Sequence, residues 1–251
     1  MCRPSFRIPQ SAFATAHSPY QSFFCKIPPL MRTRLIFLVG GPDFHPVNEQ
    51  AAAIIQSLGP DFACHTAESL AAFEHLTECD LLVLMGQHWS GWEGRYRSPS
   101  QVHRRNFEKY VQSGRPILSF HAAISSYDDW PRYQELIGFS LNWESSGATP
   151  VEEHPVHLES PDHPIMRGLA DFTITDELLA NVRILESARS QTLATALLAD
   201  RKIPVVMTTQ GGRILGAGKS TYIGLGHDML AMESPQLRQI WLNAIQWCLG
   251  V

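Results

Sequence analysis

Arg34–Pro42 reads RLIFLVGGP, an unbroken apolar run from Leu35 to Val39 closed by two glycines and a proline. A run this short and this continuous is that of a strand covered on both faces, as in a parallel sheet, and the glycines and proline end it. Two more follow: DLLVLM at 80–85, closed by the loop Gly86–Trp89, and ILSF at 117–120, running into His121, Ala122 and Ala123. Helical patterns separate them. Val47–Leu58 repeats apolar residues at Ala51, Ile54, Ile55 and Leu58 before Gly59 and Pro60 stop it, and Gln101–Gln112 reads as a helix halted by residues 113–116. Phe62–His65 is a short strand candidate and Ser69–Leu76 a short helix. The order βαβαβαβ predicts a doubly wound, mostly parallel α/β sheet of the flavodoxin-like kind.

Past Trp143 the rhythm shortens. Strand candidates lie at 151–158, 172–175, 205–208, 213–217 and 221–225, and a helix over 235–249 closes the chain. They predict short extra strands in the C-terminal half, with no internal repeat and no interdomain linker.

Composition removes several functions. In 251 residues, 24 acidic side chains oppose 20 basic ones, a net charge of −4, which disfavours non-specific nucleic-acid binding. Hydrophobic residues at 44% and charged residues at 18% are those of a chain with a real core. No apolar run approaches the ~20 residues of a membrane span. Five scattered cysteines without a CxxC suggest neither a disulfide framework nor a cysteine zinc site, so a reducing, cytoplasmic compartment is expected. The first 31 residues differ from the rest: five of the 17 prolines fall in residues 1–30, and no acidic residue precedes Asp43. They read as a disordered leader or a start placed too early, with one domain over 32–251. Deleting residues 1–30 is expected to leave the melting temperature unchanged; a drop of several degrees would show that they dock.

In an open parallel sheet the ligand lies beyond the carboxyl ends of the strands. The unusual polar residues sit there: His45 after the first strand, Gln87 and His88 after the third, His121 after the fourth, and Gly226, His227 and Asp228 after the last. A single loop histidine is ordinary; four on one rim form a candidate site. Imidazoles with a carboxylate can hold a divalent metal, zinc by preference, here through His45, His121 and His227. They can equally act as acids and bases near neutral pH.

The segments SFHAA (119–123), WPRY (130–133), ELIG (135–138), HPI (163–165), DEL (176–178) and YIGLGHD (222–228) come before a helix containing IQW (245–247). In this order they resemble the ThuA (trehalose utilisation) family over about residues 34–250. The resemblance implies a class I glutamine amidotransferase-like fold and an enzyme of carbohydrate metabolism, acting on trehalose, a related disaccharide or its 3-keto derivative. True amidotransferases carry a nucleophilic cysteine on the turn where this chain has His121, so thioester chemistry through Cys64, Cys79 or Cys248 is the least favoured reading. The expected catalytic residues are His121, His227, Asp176 and Glu177, although Asp176 reads equally well as a turn cap. His45, Gln87, His88, Trp130, Trp143 and Asp228 are the expected substrate contacts, the tryptophans as faces for a sugar ring or as packing. Gly211, Gly212, Gly216 and Gly218 lack the order of a phosphate loop and read as hairpin turns. The expected partner is a small carbohydrate, with no nucleic acid and no membrane; a homo-oligomer is left open. The alternative to an enzyme is a non-catalytic sugar- or partner-binding member.

Overall fold

The computed structural model describes residues 32–251 apart from 69, 93, 142–146, 186–188 and 211–213. The expected leader, Trp143, Gly211 and Gly212 therefore lie outside the described residues.

The apolar runs are strands β1 (Thr33–Leu38), β3 (Leu81–Leu84) and β4 (Ile117–Phe120), joined by β2 (Phe62–Ala67) and β11 (Lys219–Ile223) in the parallel order β2-β1-β3-β4-β11. Both faces of the central strands are buried. Leu35, Phe37, Leu81, Val83 and Phe120 face helices α1 (Val47–Ser57) and α4 (Pro235–Leu249), while Ile36, Leu38, Leu82, Leu84 and Ile117 face α2 (Gln101–Gln112) and α3 (Arg132–Ile137). Local chemistry sets the helix ends. Ser100 accepts from the His103 N–H at 3.3 Å to open α2, and Ser234 with Pro235 opens α4, which stops at Gly250. Between β2 and β3 the expected helix is two 3-10 turns, Leu70–Glu74 and Leu76–Glu78.

The sheet continues antiparallel as β10 (Arg201–Gln210), β9 (Gln191–Leu198), β6 (Glu152–Leu158) and β7 (Phe172–Asp176), giving nine strands in all. A separate ribbon pairs β5 (Phe139–Leu141) with β8 (Val182–Ile184). Residues 214–217, expected as strand, form a turn in which Leu215 is 95% exposed. In a flat sheet four strand spacings of about 4.8 Å would hold β7 about 19 Å from β11. Yet the end of β7 meets the loop after β11, where Asp176 accepts from the Gly226 and His227 N–H groups. The segment between β6 and β7 is tied to α4, whose Asn243 donates to the carbonyls of Ile165 and Arg167 at 2.9 and 3.0 Å. Among the described residues no helix is long and apolar enough to cross a membrane.

Candidate active site

β4 ends in a turn that a side chain rarely adopts: His121 has φ +41°, and residues 121–125 continue as a buried 3-10 turn. Such strain persists only where the surroundings hold it, and it is common at functional sites. The hold here is a hydrogen bond at 2.8 Å between His121 Nδ1 and the Gly224 carbonyl. A carbonyl can only accept, so Nδ1 carries the proton and the Nε2 lone pair points into the site.

Three other groups meet it there. His45, His121, Glu177 and His227 each offer a ligand atom within 4.8 Å of the others. The His45 ring lies 5.1 Å from that of His121 and 5.0 Å from that of His227. Glu177 Oε1 lies 3.3 Å from His121 Nε2 and 3.4 Å from His227 Nδ1. These contacts are near enough for charge pairing but poorly aligned for hydrogen bonds, so among the described residues both buried nitrogens have no hydrogen-bond partner. Buried, unpartnered donor atoms converging on one carboxylate suit a cation placed between them. The mouth lies on the side of Glu177 and His227, whose side chains are 17% and 15% exposed against 3% for His121.

Electrostatics divides the labour. Burial, reinforced by His121 and His227, pushes His45 down from 6.5 to about 3, so it stays neutral. Burial would raise Glu177, but His121 and His227 outweigh it and hold the carboxyl down at about 2. Glu177 in turn pushes His227 above the ordinary imidazole value, against burial.

The buried neutral His45 has a consequence for acid stability. Between its folded value near 3 and its unfolded value of 6.5 the unfolded chain binds the extra proton. The stability it lends is therefore whole above that window and is lost as pH falls through it. In urea melts of metal-free protein from about pH 7 to about pH 4, His45→Gln should show the shallower loss, by on the order of 2 kcal/mol. Equal slopes would mean that His45 takes up its proton in the fold.

The trehalose utilisation (ThuA) profile matches residues 36–248. The chain belongs to the ThuA family. It is similar to a ThuA-like protein of Bacteroides uniformis, with 18% identity over 91% of this chain and 95% of that one at a TM-score of 0.68. A ThuA-like protein of Parabacteroides merdae superposes with TM-score 0.69 and 17% identity, covering 87% and 90% of the two chains. A glutamine amidotransferase of Thermotoga maritima aligns at 9% identity and TM-score 0.49 over 88% and 99%. No curated protein matches.

In this ThuA chain the other expected site residues lie outside the cluster. Asp176 is fully buried, with both carboxylate oxygens on backbone amides, so it faces no open space for substrate. Trp130 is a core residue packed on Phe107 and Tyr133, not a sugar platform. Gln87 donates to Ser125 at 3.1 Å. His88 hydrogen-bonds the Val39 carbonyl at 3.0 Å and stacks on Tyr127; burial lowers its pKa. Asp228 accepts from the Ala231 N–H at 3.0 Å and caps its own turn. The cysteines at Cys64, Cys79 and Cys248 are free thiols away from the His121 turn. Burial pushes Cys79 up to about 11 and Cys248 to about 12, values unsuited to a nucleophile. Two residues go unnoticed in the sequence: Gly224, whose carbonyl orients His121, and Gln50, which holds the turn of His227. Gln50 has a readable signal, a polar side chain on the apolar face of α1.

Proposed function

We propose that this ThuA protein is an enzyme acting on trehalose, a related disaccharide or its 3-keto derivative, at a site in which His45, His121 and Glu177 would hold a divalent metal such as zinc. The observation that carries the reading is the convergence of three imidazoles and one carboxylate, two of the imidazole nitrogens buried and unpartnered. When bound, such an ion supplies Lewis-acid polarisation of a sugar carbonyl or hydroxyl. Three protein donors suffice for a catalytic ion with an open position. His227, half-buried at the mouth, is then the group that carries a proton.

A 3-keto sugar has an acidified hydrogen on the carbon beside its carbonyl. His227 takes that proton, the carbon–hydrogen electron pair becomes a carbon–carbon double bond, and the glycosidic oxygen departs and takes the proton back from the His227 imidazolium. Water then adds across the double bond. Glu177 stabilises the imidazolium so formed, and His121, locked by Gly224, keeps its lone pair aimed inward.

The test is a turnover screen of trehalose, sucrose and their 3-keto derivatives, with protein stripped of metal and protein reloaded with zinc. Turnover that needs the ion is expected with at least one of them. Full turnover in stripped protein would leave the imidazoles as acid–base groups alone, and binding without turnover would favour a non-catalytic sugar-binding member.

A further inference from the structure

His227 sits on a turn, residues 225–228, that belongs to no helix or strand, yet its ring must be placed to within a fraction of an ångström to meet Glu177. The turn is gripped from two sides. From β7, Asp176 Oδ2 accepts from the Gly226 N–H at 2.6 Å, and Oδ1 accepts from the His227 N–H at 2.9 Å and from the Glu177 N–H at 2.9 Å. From α1, Gln50 Nε2 donates to the Gly226 carbonyl at 2.7 Å and to the Asp228 carbonyl at 3.2 Å. One carboxylate thus fixes the backbone of both Glu177 and His227, and one amide fixes the same turn from the helix that follows His45.

Gln50 is fully buried beside Val47, Ala51 and Ile54 on the apolar face of α1, and its Oε1 has no hydrogen-bond partner among the described residues. An apolar side chain there would avoid that desolvation cost, so the two donor bonds account for a glutamine at this place. Asp176 likewise reaches no solvent, and three amides on one charged acceptor are the strong, charge-assisted kind.

We infer that Asp176 and Gln50 are positioning residues that clamp residues 226–228, so that Glu177 and His227 stand at their working separation before any ligand arrives. The inference rests on the reading of this cluster as a metal-holding site. Its chemistry is specific. In Asp176→Asn one oxygen becomes an NH2 that faces the Gly226 N–H, a donor against a donor, and the grip on that amide is lost. Gln50→Met keeps the shape of the side chain and removes only the bonds to the two carbonyls.

Two measurements on the full chain test it. In metal-free protein, the nuclear Overhauser contact between the His45 and His227 rings, 5.0 Å apart, should weaken in both variants. The contact between His45 and His121, at 5.1 Å, should persist, because Gly224 and not the clamp holds His121. Titration with cobalt(II), followed by its visible bands, should show the dissociation constant raised about 10- to 100-fold in Asp176→Asn and about 3- to 10-fold in Gln50→Met, with altered band intensities. An unchanged His45–His227 contact in both variants overturns the inference. If the unsubstituted protein binds no cobalt, the metal reading falls and the ring contacts alone decide the clamp. Should Asp176→Asn not fold, Gln50→Met decides it by the same two readouts.

Discussion

His121→Ala is expected to strip the protein of divalent metal and to lower turnover by on the order of a thousandfold, with the fold intact. The side chain lies 5.1 and 5.4 Å from the other two imidazoles and 3.3 Å from Glu177. Its loss removes one of the three proposed donors, and the described group in the cluster that could stand in for it is His227, which the proposed reaction needs for proton transfer. Metal affinity should drop at least about 100-fold, beyond the range usual for outer residues. His227→Ala should cost a comparable share of turnover and much less metal, since it leaves the proposed donors His45, His121 and Glu177 in place. Residues acting as a unit are non-additive, so the double variant should be barely worse than the poorer single one. Metal content by elemental analysis and turnover on the best sugar found in the screen check this. Losses that multiply would mean two independent sites, and single variants with unchanged turnover would sink the assignment.

The parallel half of the sheet is legible in the sequence because every central strand is covered on both faces and so leaves an unbroken apolar run. The antiparallel half is legible only in part: β6, β7 and the middle of β10 coincide with the strand candidates at 151–158, 172–175 and 205–208, and β9 has none. β9 reads QTLATALL, whose buried Ala194 and Ala196 have too little apolar bulk to mark a strand among neighbouring threonines. β10 begins before Pro204, a residue that reads as a break; in the fold it stands at an irregularity of register opposite β9, where a missing N–H is tolerated. β7 joins the sheet through β6 and β9, and β9 goes unmarked in the sequence, so the arrival of Glu177 beside His121 could not be derived from spacing alone.

Within the site, strand order is enough to place His45, His121 and His227 on one rim, because each follows a parallel strand at its carboxyl end. It says nothing of where a rim side chain turns. Gln87 and His88 share that rim and turn instead to Ser125 and to the Val39 carbonyl, stitching neighbouring loops together. The adjacent carboxylates Asp176 and Glu177 divide by the alternation at a strand end: Asp176, the last residue of β7, is buried on backbone amides, and Glu177, one residue on, reaches the imidazoles. Of the two readings of Asp176, the fold shows the cap, and the amides it caps belong to Glu177 and to the turn of His227.

Gly226→Ala is expected to be among the most damaging single changes outside the donor set. Gly226 has φ +107°, a conformation that L residues rarely adopt, and a β-carbon there would lie 2.4 and 2.6 Å from Cζ and Cε2 of Phe120. That ring is fully buried and packed 4.9 Å from the ring of Trp241, so it has little room to retreat. Relief can come by two routes. The turn can rotate outward, which breaks the bonds to Asp176 and Gln50 and carries His227 off Glu177. Alternatively Phe120 can shift, which drags the residue directly before the strained His121. Either route disturbs the cluster, at His227 and Glu177 or at His121, so stability should fall by about 2–4 kcal/mol and, on the proposed metal reading, metal affinity by at least about tenfold. Gly168→Ala is the comparison: it too has a positive φ, +77°, but no atom of the described residues lies within 4 Å of the added carbon. Its cost should be about 1 kcal/mol, with metal binding untouched. Thermal melts and cobalt(II) titrations of the two variants separate the cases. Equal melting temperatures and equal affinities would show that the turn carrying His227 has the freedom to relax, and that its placement is not what forms the site.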